Sequence, residues 1–381
     1  MIRTPRHAAT PNRRSALVWR RRASPFARYA LLAYTLLVID ASLYPFSGWR
    51  DLGLPPFAYL SAPWPRHALG FDVFVNVVGY VPLGIVTGLA LYPRLGGFFL
   101  VAGSALYCGA LSAALEAVQS YLPSRISSQV DLLTNAAGGL IGALIAARIA
   151  GPVLERGRLR EWRVRWFEPD ASRGLVLAAL WFGALVYPEP LTLGGGALLK
   201  FFDPTLPEGV VAAFGLEFVA ATFRQAEGVV CAFSLFGAGL LFANLLRRVQ
   251  PFGTQYLLVF GFVVATAVTK MFMSAFLFED ATHFVWPTIG ARWGFVAGFF
   301  ALSLALPLSP RLRTALGFAA IAAVIALVNA LPDNPYVNSV AGAWTRGRLM
   351  NFFGLAEGLN LVWPFLALVY FLRHPGKARP L

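Results

Sequence analysis

Residues 111–142 read LSAALEAVQSYLPSRISSQVDLLTNAAGGLIG: two apolar arms joined by a short polar elbow around Pro123. Glu116, Gln119, Arg125, Asp131 and Asn135 crowd around that bend. Each arm continues into an apolar run long enough to cross a hydrocarbon core of roughly 30 Å as a helix. The elbow therefore reads as the turn of a transmembrane hairpin. Charge near the end of a spanning helix is costly unless it pairs, reaches water or lines a cavity, so these side chains are candidates for function.

Working outward, the same kind of apolar run recurs along nearly the whole chain. Its 381 residues are 57% hydrophobic and only 13% charged, with a mean hydropathy of +0.63. That excludes a soluble globular protein and predicts an all-α polytopic membrane helix bundle. We read ten spans, at about 28–46, 72–92, 98–120, 131–149, 174–188, 228–246, 257–277, 290–307, 314–331 and 352–372; the fifth is the shortest. Sorted by the alternation these spans impose, 23 of the 32 Lys and Arg residues share the side of the N-terminus, 8 lie on the other, and Lys270 falls within a span. Basic residues accumulate on the cytoplasmic side, so both termini are expected there.

The net charge of +14 resides in the tail before span one (Arg13, Arg14, Arg20, Arg21, Arg22) and in the loop RGRLREWRVRW at 156–166. These are juxtamembrane positions, where attraction to anionic membrane lipids explains the charge; no nucleic-acid partner is implied. No small-residue cleavage site follows span one, so it is expected to be a retained anchor. Cys108 and Cys231 fall inside spans and read as small apolar residues. His7, His67, His283 and His374 lack ligand spacing, and no phosphate-loop, dinucleotide or nucleophile motif appears, so neither a metal nor a cofactor is expected.

A degenerate parallel repeat is legible. RHALGF (66–71) and RQAEGV (224–229) share Arg, Ala and Gly in register, each leading to a Gly at equal offset, Gly79 and Gly237. Gly138, Gly142 and Ala146 of span four find counterparts in Gly290, Gly294 and Gly298 of span eight, both small-residue faces that permit close helix contact. Spans five to eight are thus expected to copy spans one to four. His283 then stands opposite Asp131 and Pro287 opposite Asn135, so the copy lacks the polar cluster. The chain divides into a basic tail (1–27), a four-helix membrane domain (28–150), a basic loop (151–173) and a second region of about six helices (174–381). The loop at 189–227 is expected to carry a short interfacial helix from about 209 to 223.

Glu116 and Gln119 share a face of span three with Ser112, one turn deeper, and Asp131 and Asn135 share the opening face of span four. Asn76, Tyr80 and Thr87 line span two, where Pro82 and Gly84 should weaken the helix. Arg125 is within reach of either carboxylate and suits a forked contact to it or to a phosphate. By the charge alternation, all these helix ends face outward.

On these residues, spans one to four resemble the VanZ-like family. Its pattern, an Asn followed by Pro-x-Gly, then Glu-x-x-Gln, an elbow Arg and Asp-x-x-x-Asn-x-x-Gly, is carried here by Asn76, Pro82 and Gly84, Glu116 and Gln119, Arg125, and Asp131, Asn135 and Gly138. The likeness covers roughly residues 28–150; spans five to ten depart from it. It implies a multi-pass protein of the bacterial inner (cytoplasmic) membrane, related to one associated with resistance to the glycopeptide teicoplanin, and no defined reaction.

Three readings of the cluster stand side by side. In the first, Asn76, Glu116, Gln119, Arg125, Asp131 and Asn135 bind or translocate a cell-envelope component such as a lipid-linked precursor, with Arg125 on its phosphate. In the second, Glu116 is the general acid or base of a membrane-embedded enzyme, beside an ionised Asp131. In the third, Glu116, Arg125 and Asp131 are an ion-pair network that locks two helices together. Elsewhere, Asp40, Lys270 and Glu357 would form an ion path or neutralising pairs if they converged. Trp49, Trp64, Trp286, Trp344 and Trp363 are expected to anchor span ends at the interface.

Overall fold

The computed structural model describes residues 24–51, 53, 55–64, 70–156, 158–203, 205–213, 220–277, 288–332 and 350–376. Within them the chain is all-α: α1 (Pro25–Leu43), α2 (Gly70–Leu91), α3 (Gly97–Gln119), α4 (Gln129–Gly151), α5 (Arg158–Trp166), α6 (Ser172–Ala184), α7 (Leu198–Phe202), α8 (Leu206–Ala213), α9 (Ala220–Leu245), α10 (Phe252–Leu277), α11 (Ile289–Ala305), α12 (Pro310–Ala330) and α13 (Met350–Arg373). All ten expected spans appear as helices. Eight are long and apolar enough to cross a membrane, and α6 and α11 are shorter. Helix starts follow local chemistry. Ser24, Ser128, Thr288 and Ser309 cap α1, α4, α11 and α12 through their side-chain oxygens.

The first four spans are held by backbone-to-backbone contact between α2 and α4. A methyl group added at Gly142 would lie 2.1 Å from the Val81 carbonyl oxygen, at Gly138 2.3 Å from that of Val77, and at Gly84 2.2 Å from that of Gly139. Lipid tails are as apolar as the helix surfaces, so close packing of this kind takes the place of the hydrophobic effect. Gly84 thus serves contact, and α2 runs unbroken through Pro82. Cys108 of α3, buried and free, packs on Gly139 from the other side.

The second half has a similar pair. Gly290, Gly294 and Gly298 of α11 press on α9, against Arg224 and Glu227, Gly228 and Cys231, and Ala232 and Leu235 respectively. The pairing of spans two and four is thus repeated by spans six and eight. The register is not. Packing sets Gly290 on Arg224 as Gly138 sits on Val77, whereas the sequence motif aligns Arg224 with Arg66, 11 positions before Val77. His283 and Pro287 lie outside the described residues.

α6 stops at Ala184, and the chain then enters an irregular segment whose residues 191–196 are all buried. Non-helical backbone at this depth is tolerated only where protein supplies its hydrogen bonds. Lys270 of α10 donates to the carbonyls of Leu185 (3.3 Å) and Tyr187 (2.9 Å) and pairs with Glu189. Glu189 in turn accepts from the Leu193 amide at 2.6 Å. Glu227 accepts from Thr192 (2.7 Å) and Thr288 (2.7 Å), and Asn329 accepts from the amides of Leu199 and Lys200 while donating to Gly196. The expected surface connection is therefore partly a buried plug. Its helix α8 also falls earlier than expected, with residues 220–223 belonging to α9.

Two further expectations are corrected here. Lys270 does not meet Asp40 or Glu357; its carboxylate is Glu189. Trp363 is no interfacial anchor but lies in the core, its ring centroid 4.5 Å from that of Trp181 and its N–H on the Leu177 carbonyl. Trp49 and Trp64 are exposed, and Trp286 and Trp344 lie outside the described residues. Asp40 and Glu357 do come together where α1 meets α13. Tyr44 Oη donates to Glu357 at 2.9 Å with its ring over Gly354, and Gly358 abuts the Asp40 carboxylate.

Candidate functional site

The six residues singled out in the sequence gather at one end of the α1–α4 bundle. α3 ends at Gln119, and the elbow is pinned by Leu122, fully buried, and by amide bonds from Leu122 to Gln119 O and from Arg125 to Leu122 O, each 2.9 Å. Glu116, only 4% exposed, reaches across the bend to accept the Ser128 amide at 2.8 Å. Ser128 is the N-cap of α4, so this carboxylate completes the cap and meets the positive end of the helix dipole. Asp131 lies in the same first turn and accepts from Asn76 Nδ2 of α2 at 2.7 Å.

Deeper, Asn135 Nδ2 donates to Ser112 Oγ at 3.0 Å. Tyr80, one turn beyond Asn76, has its hydroxyl beside Ser112. Yet Tyr80 Oη, although next to Ser112, is buried without a well-formed hydrogen bond, and Asn135 Oδ1 is buried without a partner. Toward α1, Gln119 donates to the Ser42 carbonyl (2.8 Å) and Arg125 Nη2 to the Tyr44 carbonyl (2.7 Å). The segment after α1 folds over the elbow through Arg50 N to Tyr121 O (3.0 Å) and Tyr59 Oη to Ala113 O (3.3 Å).

The residues thus play two kinds of part. Glu116, Gln119 and Arg125 tie the elbow to itself and to the end of α1. Asn76, Asp131 and Asn135, with Tyr80 and Ser112 beneath them, form a half-buried polar face between α2, α3 and α4. The sequence placed Tyr80 and Ser112 on the right stripes without naming them as site residues. It missed Ser128, Ser42 and Tyr44, whose backbone atoms are the partners, because a backbone group leaves no mark on residue identity. One expected effect follows. Glu116→Ala strands the Ser128 amide, which should cost about 1–3 kcal/mol; Glu116→Gln keeps an acceptor there and should unfold close to wild type when melted in detergent.

This is a multi-pass, all-α membrane protein whose first four spans carry a polar cluster at one end. Residues 16–150 match the VanZ/LLP1 family, so the resemblance drawn from the motif residues is found again over the same four helices. The later helices lie beyond the matched segment. No curated protein and no solved structure matches the chain.

Proposed function

We propose that the polar face between α2, α3 and α4 is an outward-facing site that binds, or helps translocate, the polar group of a cell-envelope component in the bacterial inner membrane. A single observation carries this reading: behind the Asn76–Asp131 pair stand a buried hydroxyl, Tyr80 Oη, and a buried amide oxygen, Asn135 Oδ1, neither in a well-formed hydrogen bond. Burying an unsatisfied polar group costs about 1–3 kcal/mol, and native proteins keep few of them. An open donor and an open acceptor, each next to Ser112, suit a ligand rich in hydroxyls or amides, as sugars and peptides are. Asp131 adds an acceptor at the mouth and Asn76 an amide.

The excess of basic residues on the opposite side supports the outward orientation and cytoplasmic termini. The VanZ/LLP1 match supports a part in envelope maintenance or glycopeptide resistance. In this reading Glu116 is a helix cap rather than a general acid, since its carboxylate is buried and already accepts the Ser128 amide.

Tyr80→Phe tests the site directly. If the hydroxyl only fills space, its removal relieves an unsatisfied group and leaves function intact. If it contacts a ligand, the variant should accumulate and melt like wild type, yet protect a host lacking the gene about tenfold less well against teicoplanin or another inhibitor of wall synthesis. Asp131→Ala should show the same split. Undiminished protection by both variants at normal abundance would refute the proposal.

A further inference from the structure

At the other, basic end of the bundle an arginine side chain is buried with no counter-ion among the described residues. Arg313, in the first turn of α12, is 5% exposed. Its Nε is buried without a partner, and among the described residues its side chain has no hydrogen bond or ion pair. Its charged neighbour is of like sign, Arg248, which follows α9. Glu168 accepts the backbone amide of Arg248 at 3.4 Å. One turn further along α12, Gly317 abuts the Phe371 ring; one turn earlier, Pro310 abuts Gly376. Arg313 is therefore enclosed where the ends of α9, α12 and α13 meet.

An arginine cannot escape burial by losing its proton. Enclosing it unpaired, beside a second arginine, opposes folding unless an anion arrives from outside. The start of α12 adds the positive end of a helix dipole. The position selects the anion: α12 begins at the edge of its apolar window, at the level where lipid phosphates lie, and basic pockets between spans on this side suit lipid headgroups.

We propose that Arg313, with Arg248 at its rim, binds the phosphate of an anionic phospholipid through a forked guanidinium contact. This site is separate from the α2–α4 face and does not depend on its reading.

The test uses the full-length protein in phosphatidylcholine nanodiscs, with and without phosphatidylglycerol, followed by thermal unfolding. Phosphatidylglycerol is expected to raise Tm in the wild type. Arg313→Met should abolish that rise while leaving Tm in pure phosphatidylcholine equal to wild type or higher, because it removes an unpaired buried charge. A purely structural Arg313 would give the opposite sign. Arg248→Gln, an exposed change that leaves the packing alone, should raise the phosphatidylglycerol fraction needed for half the effect severalfold. An undiminished lipid response in both variants would overturn the site. Equal stabilisation of the wild type by sodium phosphate in phosphatidylcholine would overturn the lipid assignment in favour of a free anion.

Discussion

Lys270→Met should lose most of the protein from the membrane and lower its Tm sharply in detergent. Lys270 and Glu189 are each 6% exposed. The ammonium satisfies the Leu185 and Tyr187 carbonyls as well as the Glu189 carboxylate. Removing it leaves a buried anion and two carbonyl groups unpaired, in the stretch where the chain leaves α6 and cannot bond to itself. Breaking a buried pair from one side costs about 3–5 kcal/mol, a large part of the stability of an ordinary domain. Glu189→Gln also strips a buried charge of its counter-ion, but it should be milder, because Lys270 keeps the Leu185 and Tyr187 carbonyls and the new amide oxygen can still accept from Leu193. The double variant Lys270→Met/Glu189→Gln should lose less than the two single losses combined, the signature of coupled residues. Strict additivity, or a Lys270→Met protein as abundant and stable as wild type, would show that the plug does not depend on this pair.

Gly142→Leu is expected to be nearly as damaging, for a reason of space rather than charge. The first atom of any side chain at 142 would fall 2.1 Å from the Val81 carbonyl oxygen, so α2 and α4 must separate. Overpacking costs about 1–3 kcal/mol and at times more; here it also forfeits the close approach on which helix association in lipid rests. Gly84→Val should behave alike, since it meets the same interface from α2. Gly79 in α2 and Gly109 in α3 have nothing within 4 Å of an added methyl group. Gly79→Ala and Gly109→Ala should therefore be neutral or gain up to about 1 kcal/mol in helix propensity. Quantitative immunoblotting of membranes, followed by melting of the purified variants, separates the two groups. Equal tolerance at Gly142 and Gly79 would refute the backbone-contact account.

Legibility differed between the two ends of the problem. The spacing of Glu116, Gln119, Asp131 and Asn135 on helical faces was enough to bring them together, because a short elbow forces two spanning helices to lie antiparallel and set their ends side by side. Their partners were harder to read. Opposite charge pointed Arg125 toward Glu116 or Asp131, but its Nη2 donates to the Tyr44 carbonyl, and those two carboxylates accept from a backbone N–H and an amide side chain. Lys270 taught the same lesson. Its partner Glu189 follows the short span α6 and reads as loop, so only the folding-in of residues 185–197 reveals the pair.

From the order of its residues alone, the chain commits to ten apolar runs, to an uneven spread of basic residues between alternate connections and to a polar cluster at one hairpin. All three follow from local properties: the length of an apolar run, the sign of flanking charges, and a period of about 3.6 residues per turn. Tertiary structure alone determined the register of the two glycine-faced helix pairs, the burial of the segment after α6, and the isolation of Arg313 beside Arg248. Those depend on distances between atoms far apart in the chain, and in lipid, where apolar surfaces are interchangeable, close fit and hydrogen bonding choose among arrangements that hydropathy cannot distinguish.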